Sequence, residues 1–168
     1  MGKHFGPQTK FSRRSKRLRS KGQSLIEFGL ALPLLLFVIL GLIETARLVY
    51  TYSAVTTASR EGARYGFSLG VNGMGVPHYQ DCGGIREAAM ALTSIAGIEE
   101  AGIVISYDGG PGTAVISSCP LPSAETGTRI LVKVTTSYKP IVPLVNLPPI
   151  EVTSTSKRTL LVNIDAVQ

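Results

Sequence analysis

Lys21-Gly22-Gln23-Ser24-Leu25-Ile26-Glu27-Phe28 marks the place where a basic stretch turns into an apolar one. Upstream, residues 1–22 hold 8 of the 17 Lys+Arg and none of the 11 Asp+Glu. Downstream, Phe28 to Ile43 is a run of 16 residues without a charge. Adding Leu25 and Ile26, and accepting Glu27, lengthens it to 19. At about 1.5 Å per residue a helix of that length spans nearly 30 Å, enough for a bilayer core. Glu27 is the anomaly. A lone carboxylate entering hydrocarbon costs roughly 2.5–3.5 kcal/mol and calls for a partner. A cut after Gly22 would supply one, the new α-amino group of Gln23.

The net charge of +6 therefore describes two different parts. Beyond the leader, nine cations face eleven carboxylates, so a basic tag precedes a slightly acidic body. Arg13-Arg14-Ser15-Lys16-Arg17-Leu18-Arg19 has the charge to bind nucleic acid. The apolar run after it makes a positive-inside signal the more economical reading, and no nucleic-acid partner is expected. Arg13-Arg14 fits a twin-arginine signal only loosely. Neither that nor an ordinary cleaved signal peptide agrees with the residues after the run. Small residues at a cut are missing, and Glu44, Arg47, Tyr50 and Tyr52 stand there instead. Tyrosines of that kind suit a membrane interface.

Pro33 lies inside the run, where a kink is expected. In a soluble helix it would cost about 3 kcal/mol. In a membrane or a bundle, neighbours re-satisfy the freed carbonyl, and local melting there would let the helix slide or repack. Helical spacing continues through Leu48, Thr51, Tyr52, Val55, Ala58 and Ser59. Glu44 with Arg47, and Glu61 with Arg64, stand three apart and can pair. One long helix over 24–66 is predicted, with a membrane half and an amphipathic half. The second half also suits an ordinary core helix.

Residues 67–83 read as a glycine-rich loop. The stripe Ile85, Ala88, Ala89, Leu92, Ile95 and Ala96 predicts a short helix over 84–96, with Gly97 as its C-cap. Ile103–Tyr107 reads as a strand, Asp108-Gly109-Gly110-Pro111-Gly112 as a turn, and Thr113–Ser117 as the hairpin partner. Residues 129–138 alternate with period two, a half-buried strand. Lys139–Pro149, with four prolines, reads as a loop or extended cover. Ile150–Val162 is the last strand, expected antiparallel to 129–138.

Little in the chain suggests catalysis, and no catalytic residue is assigned. His78-Tyr79-Gln80-Asp81-Cys82 collects polar groups, but one His and one Cys do not make a zinc site, which wants four ligands or three plus water. A Cys–His nucleophile pair would need Cys82 free. Gly70-Val71-Asn72-Gly73-Met74-Gly75 lacks the Lys-Ser/Thr of a phosphate-binding loop. No metal and no cofactor are expected. Cys82 and Cys119 are the only cysteines. They form a disulfide if the body lies outside the cytoplasm, and are otherwise two buried thiols.

Gly22-Gln23-Ser24-Leu25-Ile26-Glu27-Phe28 resembles the cleavage motif of type IV prepilin-like proteins. The continuation through Leu32-Pro33, Gly41-Leu42-Ile43-Glu44 and Ser59-Arg60-Glu61-Gly62-Ala63-Arg64-Tyr65 is similar to the TadE-like family, minor pseudopilins of the tight-adherence (Tad/Flp) pilus system. The match covers about 22–66. Gly127-Thr128-Arg129-Ile130, Leu147-Pro148-Pro149 and the cysteine pair look like the family's tails. The resemblance implies that a membrane prepilin peptidase cuts between Gly22 and Gln23 on the cytoplasmic side. It implies that Glu27 then pairs with a free subunit N-terminus during assembly, here that of Gln23. Position one departs from the phenylalanine usual in major pilins, which bears on N-methylation, and cyclisation of Gln23 would remove the amine.

The expected architecture is α+β, a pilin-like long N-terminal helix with one short helix and a small antiparallel sheet. Residues 1–22 are read as a basic cytoplasmic leader removed on maturation, 23–46 as the transmembrane helix, 47–66 as its amphipathic continuation and 67–168 as an extracytoplasmic body. The expected function is that of a non-enzymatic minor pseudopilin in pilus assembly or initiation, adhesion and associated secretion. Expected partners are membrane lipid, the prepilin peptidase, other pilins and pseudopilins, and the inner-membrane assembly platform. The expected location is the cytoplasmic membrane, single-pass with the N-terminus inside, and a surface pilus after assembly. The rival readings are a single-pass anchored binding domain that is never assembled and a membrane-tethered extracytoplasmic enzyme.

Overall fold

The computed structural model describes residues 2, 16–91, 97–141 and 148–161. Helix α1 (Lys16–Phe67) is followed by α2 (Cys82–Met90) and by strands β1 (Ile103–Asp108), β2 (Val115–Ser118), β3 (Arg129–Tyr138) and β4 (Ile150–Thr159). The strands form one antiparallel sheet in the order β2-β1-β3-β4. A long apolar helix, one further short helix and a small antiparallel sheet make the α+β class expected of the sequence. The chain divides between Ile43 and Glu44 into two units.

The first unit is helical from Lys16. That is eight residues before the predicted start. Lys, Arg and Leu are good helix formers, and Gly22 costs only about 1 kcal/mol against alanine, too little to stop the helix. Pro33 lies within α1. Every residue from Gly22 to Ile43 is exposed.

In the second unit the remainder of α1 lies on the sheet. Val55, Ala58, Ser59 and Ala63 are buried there. Small residues make the close approach possible. A Cβ on Gly62 would stand 3.1 Å from Val132 Cγ1 and 3.2 Å from Ala89 Cβ, and one on Gly66 would run into the Ile130 side chain. The inward face of the sheet supplies Ile103, Ile105 and Tyr107 from β1, Ile130, Val132, Val134 and Tyr138 from β3, and Val152 from β4.

β3 occupies the predicted residues and pairs with β4 from Arg129↔Thr159 to Tyr138↔Ile150. Its alternation has one exception, since Leu131 on the outward face is also buried. Leu131 stands on one of the two interior strands, between Ser106 and Lys157. β2 starts at Val115, two residues later than predicted. Thr113 belongs to the turn, where its N–H and its hydroxyl both donate to Gly110 O (3.2 and 2.8 Å).

α2 differs from its prediction at both ends. Asp81 accepts from Gly84 N at 2.9 Å and so starts the helix at Cys82. The helix closes at Met90, where the Ala91 N–H donates to Glu87 O. Gly97 has a left-handed φ of +63° but does not cap α2, which has already ended. β4 ends at Thr159, so Leu160 and Leu161 of the predicted last strand lie past it. Residues 92–96 of the predicted helix, 142–147 of the proline-rich segment and Val162 lie outside the described residues. The 67–83 stretch is mostly irregular, as predicted, but holds a 3-10 turn at His78–Gln80 and a single bridge between Val71 and Pro77.

Candidate functional site

The residues singled out by the sequence fall in two places. Gly22, Gln23 and Glu27 lie within the helical turns of α1 and are exposed. Residues four apart share a helix face, and Gln23 Nε2 donates to Glu27 Oε1 at 3.2 Å. The carboxylate thus already faces the residue whose amine a cut after Gly22 would free. α1 is long and apolar enough to cross a membrane by length and composition, and none of its most apolar window is buried. An apolar surface of this length needs lipid or other helices against it.

The second place begins where the uncharged run ends. Glu44 accepts from Arg47 Nη1 (3.4 Å to each oxygen), from Ile141 N (3.3 Å) and from the Tyr138 hydroxyl. That hydroxyl also donates to Glu44 O at 3.2 Å, and Arg47 Cζ lies 5.4 Å from the centre of the Tyr138 ring. The helix and the end of β3 are tied here by one carboxylate. Further along, Ser59 Oγ and Ser154 Oγ are 3.1 Å apart, and Arg64 pairs with Glu61 at 2.7 Å. Ser59, Gly62, Ala63 and Tyr65 of the Ser59–Tyr65 motif thus form the seam between α1, α2 and the sheet.

Tyr65 carries that seam into the loop. Its hydroxyl donates to Asp81 Oδ2 at 2.7 Å, Asn72 Nδ2 donates to the same oxygen at 2.9 Å, and Gly84 N takes the other. The Gly84, Asn72 and Tyr65 donors together hold the Asp81 carboxyl below its ordinary range. The same bond raises Tyr65. His78 Nδ1 is 2.6 Å from Ser68 Oγ, and its ring centre is 4.8 Å from that of Tyr65. Cys82 is joined to Cys119, with Cα atoms 5.9 Å apart. Cys82 is therefore no free nucleophile beside His78. Among the described residues no group of three or more His, Cys, Asp or Glu is placed to hold a metal ion.

Asp108 and Arg129 form a further anchor. Arg129 Nε and Nη2 donate to the two carboxylate oxygens at 2.7 Å each, and Nη2 also reaches Gly110 O at 2.8 Å. Arg129 keeps the Asp108 carboxyl below its ordinary range. The sequence reading missed this pair because it depends on the register Asp108↔Arg129. It also missed the bond between Glu44 and Tyr138, residues 94 apart in the chain. The Asp81 cap, by contrast, had a local signal: an aspartate directly ahead of a helical stretch.

These arrangements position and brace: even the Ser68 hydroxyl beside His78 donates to the Tyr65 carbonyl at 2.6 Å and so ties the loop to the end of α1. One family model, described as TadE-like protein, matches residues 22–64. The chain thus carries a TadE-like segment that starts at Gly22 and ends within the Ser59–Tyr65 seam. No curated protein and no solved structure matches the chain.

Proposed function

Taking residues 22–64 as a TadE-like segment, we propose that the chain is a minor pseudopilin of a Tad/Flp-type pilus. A prepilin peptidase removes residues 1–22 on the cytoplasmic side. Residues 23–46 hold the subunit in the cytoplasmic membrane, and the body lies outside it. The subunit then acts in assembly or initiation of the pilus, without enzymatic activity of its own. The observation that supports this most is a coincidence of position. The family match begins at Gly22, beside the bond to be cut, and Glu27 faces Gln23 four residues into the exposed apolar helix.

The physical logic is charge pairing. Glu27 is costly in hydrocarbon while it lacks a positive partner. An α-ammonium on Gln23 relieves that cost, because each buried ion offsets the other's desolvation. In a helical bundle, the ammonium of an incoming subunit can meet the carboxylate of one already placed. The apolar surface of α1 then exchanges lipid for neighbouring helices.

Intact-mass measurement of the protein from its native host tests this reading. The mature subunit is expected to begin at Gln23. Gly22→Ala should leave the leader in place. Glu27→Val should be cut normally yet be poorly incorporated into pili. A chain that keeps residues 1–22 in the native host would overturn the proposal and leave an anchored domain that is never assembled.

A further inference from the structure

A cavity of about 340 Å³ lies in the second unit, lined by Arg47, Tyr50, Thr51, Gly97, Ser137, Tyr138 and Lys139. Two of these residues are cations and none is an acid. Arg47 is held in place. Its Nη1 pairs with Glu44, its guanidinium lies over the Tyr138 ring, and its backbone carbonyl accepts from the Thr51 hydroxyl at 3.0 Å. The Arg47 side chain is still 40% exposed, and a guanidinium has five N–H donors, more than Glu44 uses. Lys139 is exposed, and among the described residues no carboxylate lies in ion-pair range of it.

Depth along α1 indicates what such a cavity meets. Arg47 follows Ile43, the last residue of the uncharged run, by four positions. That is about 6 Å of helical rise. The polar layer outside the hydrocarbon core is about 5–8 Å thick on each side. A span that ends at Ile43 thus puts Arg47 at the level of the lipid phosphates, with Tyr50 just beyond. We propose that this cavity binds the phosphate of an anionic phospholipid in the leaflet where α1 leaves the membrane, with Arg47 and Lys139 as its cations. Glu44 pairs with Arg47 and Glu99 lines the adjoining cavity, but the residues lining this one include two cations and no acid, which favours a headgroup with net negative charge over one that carries its own ammonium. The positive-inside rule offers no reason for cations on this side, because the leader already sets orientation. Bound lipid would hold Arg47 and Lys139 at the bilayer surface until the subunit is extracted.

The inference rests on the reading of α1 as a membrane span, with its hydrocarbon part ending at Ile43. Full-length protein is reconstituted into vesicles of equal phosphatidylglycerol and phosphatidylcholine, then released in mild detergent for native mass spectrometry. Wild type is expected to keep phosphatidylglycerol adducts in preference to phosphatidylcholine. Lys139→Gln, which leaves the Glu44–Arg47–Tyr138 cluster intact, should weaken that preference about fivefold. Arg47→Gln should add a similar loss. Lys157→Gln, far along β4, should change nothing. Equal adducts of both lipids on wild type, or an unchanged preference in Lys139→Gln, would overturn the site. Failure of the chain to enter vesicles at all would overturn the span itself, and the site with it.

Discussion

Arg129 and Asp108 show how much one pair of residues can carry. Asp108 is 2% exposed and is held by two parallel 2.7 Å bonds from one guanidinium. Removing a single partner of such a pair strands a buried charge, so Arg129→Ala should destabilise the body by about 3–5 kcal/mol. Urea unfolding in micelles, followed by near-ultraviolet circular dichroism of the tyrosines, measures this. The same aspartate, together with Asp81, sets the acid limit. Both carboxyls are held below their ordinary 3.8, Asp108 chiefly by Arg129 and Asp81 chiefly by the Gly84 N–H. As the pH falls, the unfolded chain therefore takes up protons first. The stabilisation is complete above about 3.8 and is lost as the pH drops through the folded values below it. A urea midpoint that stays flat from pH 5 to pH 2 would contradict this.

Among the elements, the amphipathic half of α1 is decided by its small residues. Ser59, Gly62, Ala63 and Gly66 let the helix lie close to the sheet and α2. Gly62→Ile adds bulk where even a Cβ would stand 3.1 Å from Val132, and should cost at least 1–3 kcal/mol through overpacking. Arg60→Ala, on the exposed side of the same turn, should stay within about 0.5 kcal/mol. Thermal unfolding of the two variants side by side separates helix propensity from packing. The helical spacing of this half was readable in the sequence, and so was the Glu61–Arg64 pair. The close approach was not. A glycine in a helix reads as a weakness until the surface opposite it is known.

For the molecule as a whole, the Cys82–Cys119 bond joins the start of α2 to the end of β2 across 37 residues. Closing a loop of that length stabilises the folded state by about 4 kcal/mol in the chain-entropy model. Cys82→Ser/Cys119→Ser should lower the urea midpoint of the body accordingly, while leaving the helical signal of α1 largely intact. Loss of the whole circular-dichroism signal on reduction would mean that the two units do not behave separately.

The basic leader, the uncharged run, the carboxylate five residues past Gly22 and the period-two strands were all legible in the chain. Each is a pattern of neighbours along one segment, and composition and spacing alone express it. The same locality let β3 be placed residue for residue. Arg47, three residues beyond Glu44, was legible as its partner, but the partners of Glu44, Asp108 and Ser59 in other elements, Tyr138, Arg129 and Ser154, were not. Which side chains meet across elements depends on strand register and on how closely a helix can approach a sheet. Only the folded packing decides those distances. Polar groups removed from water must find one another there, or the fold bears their full desolvation cost.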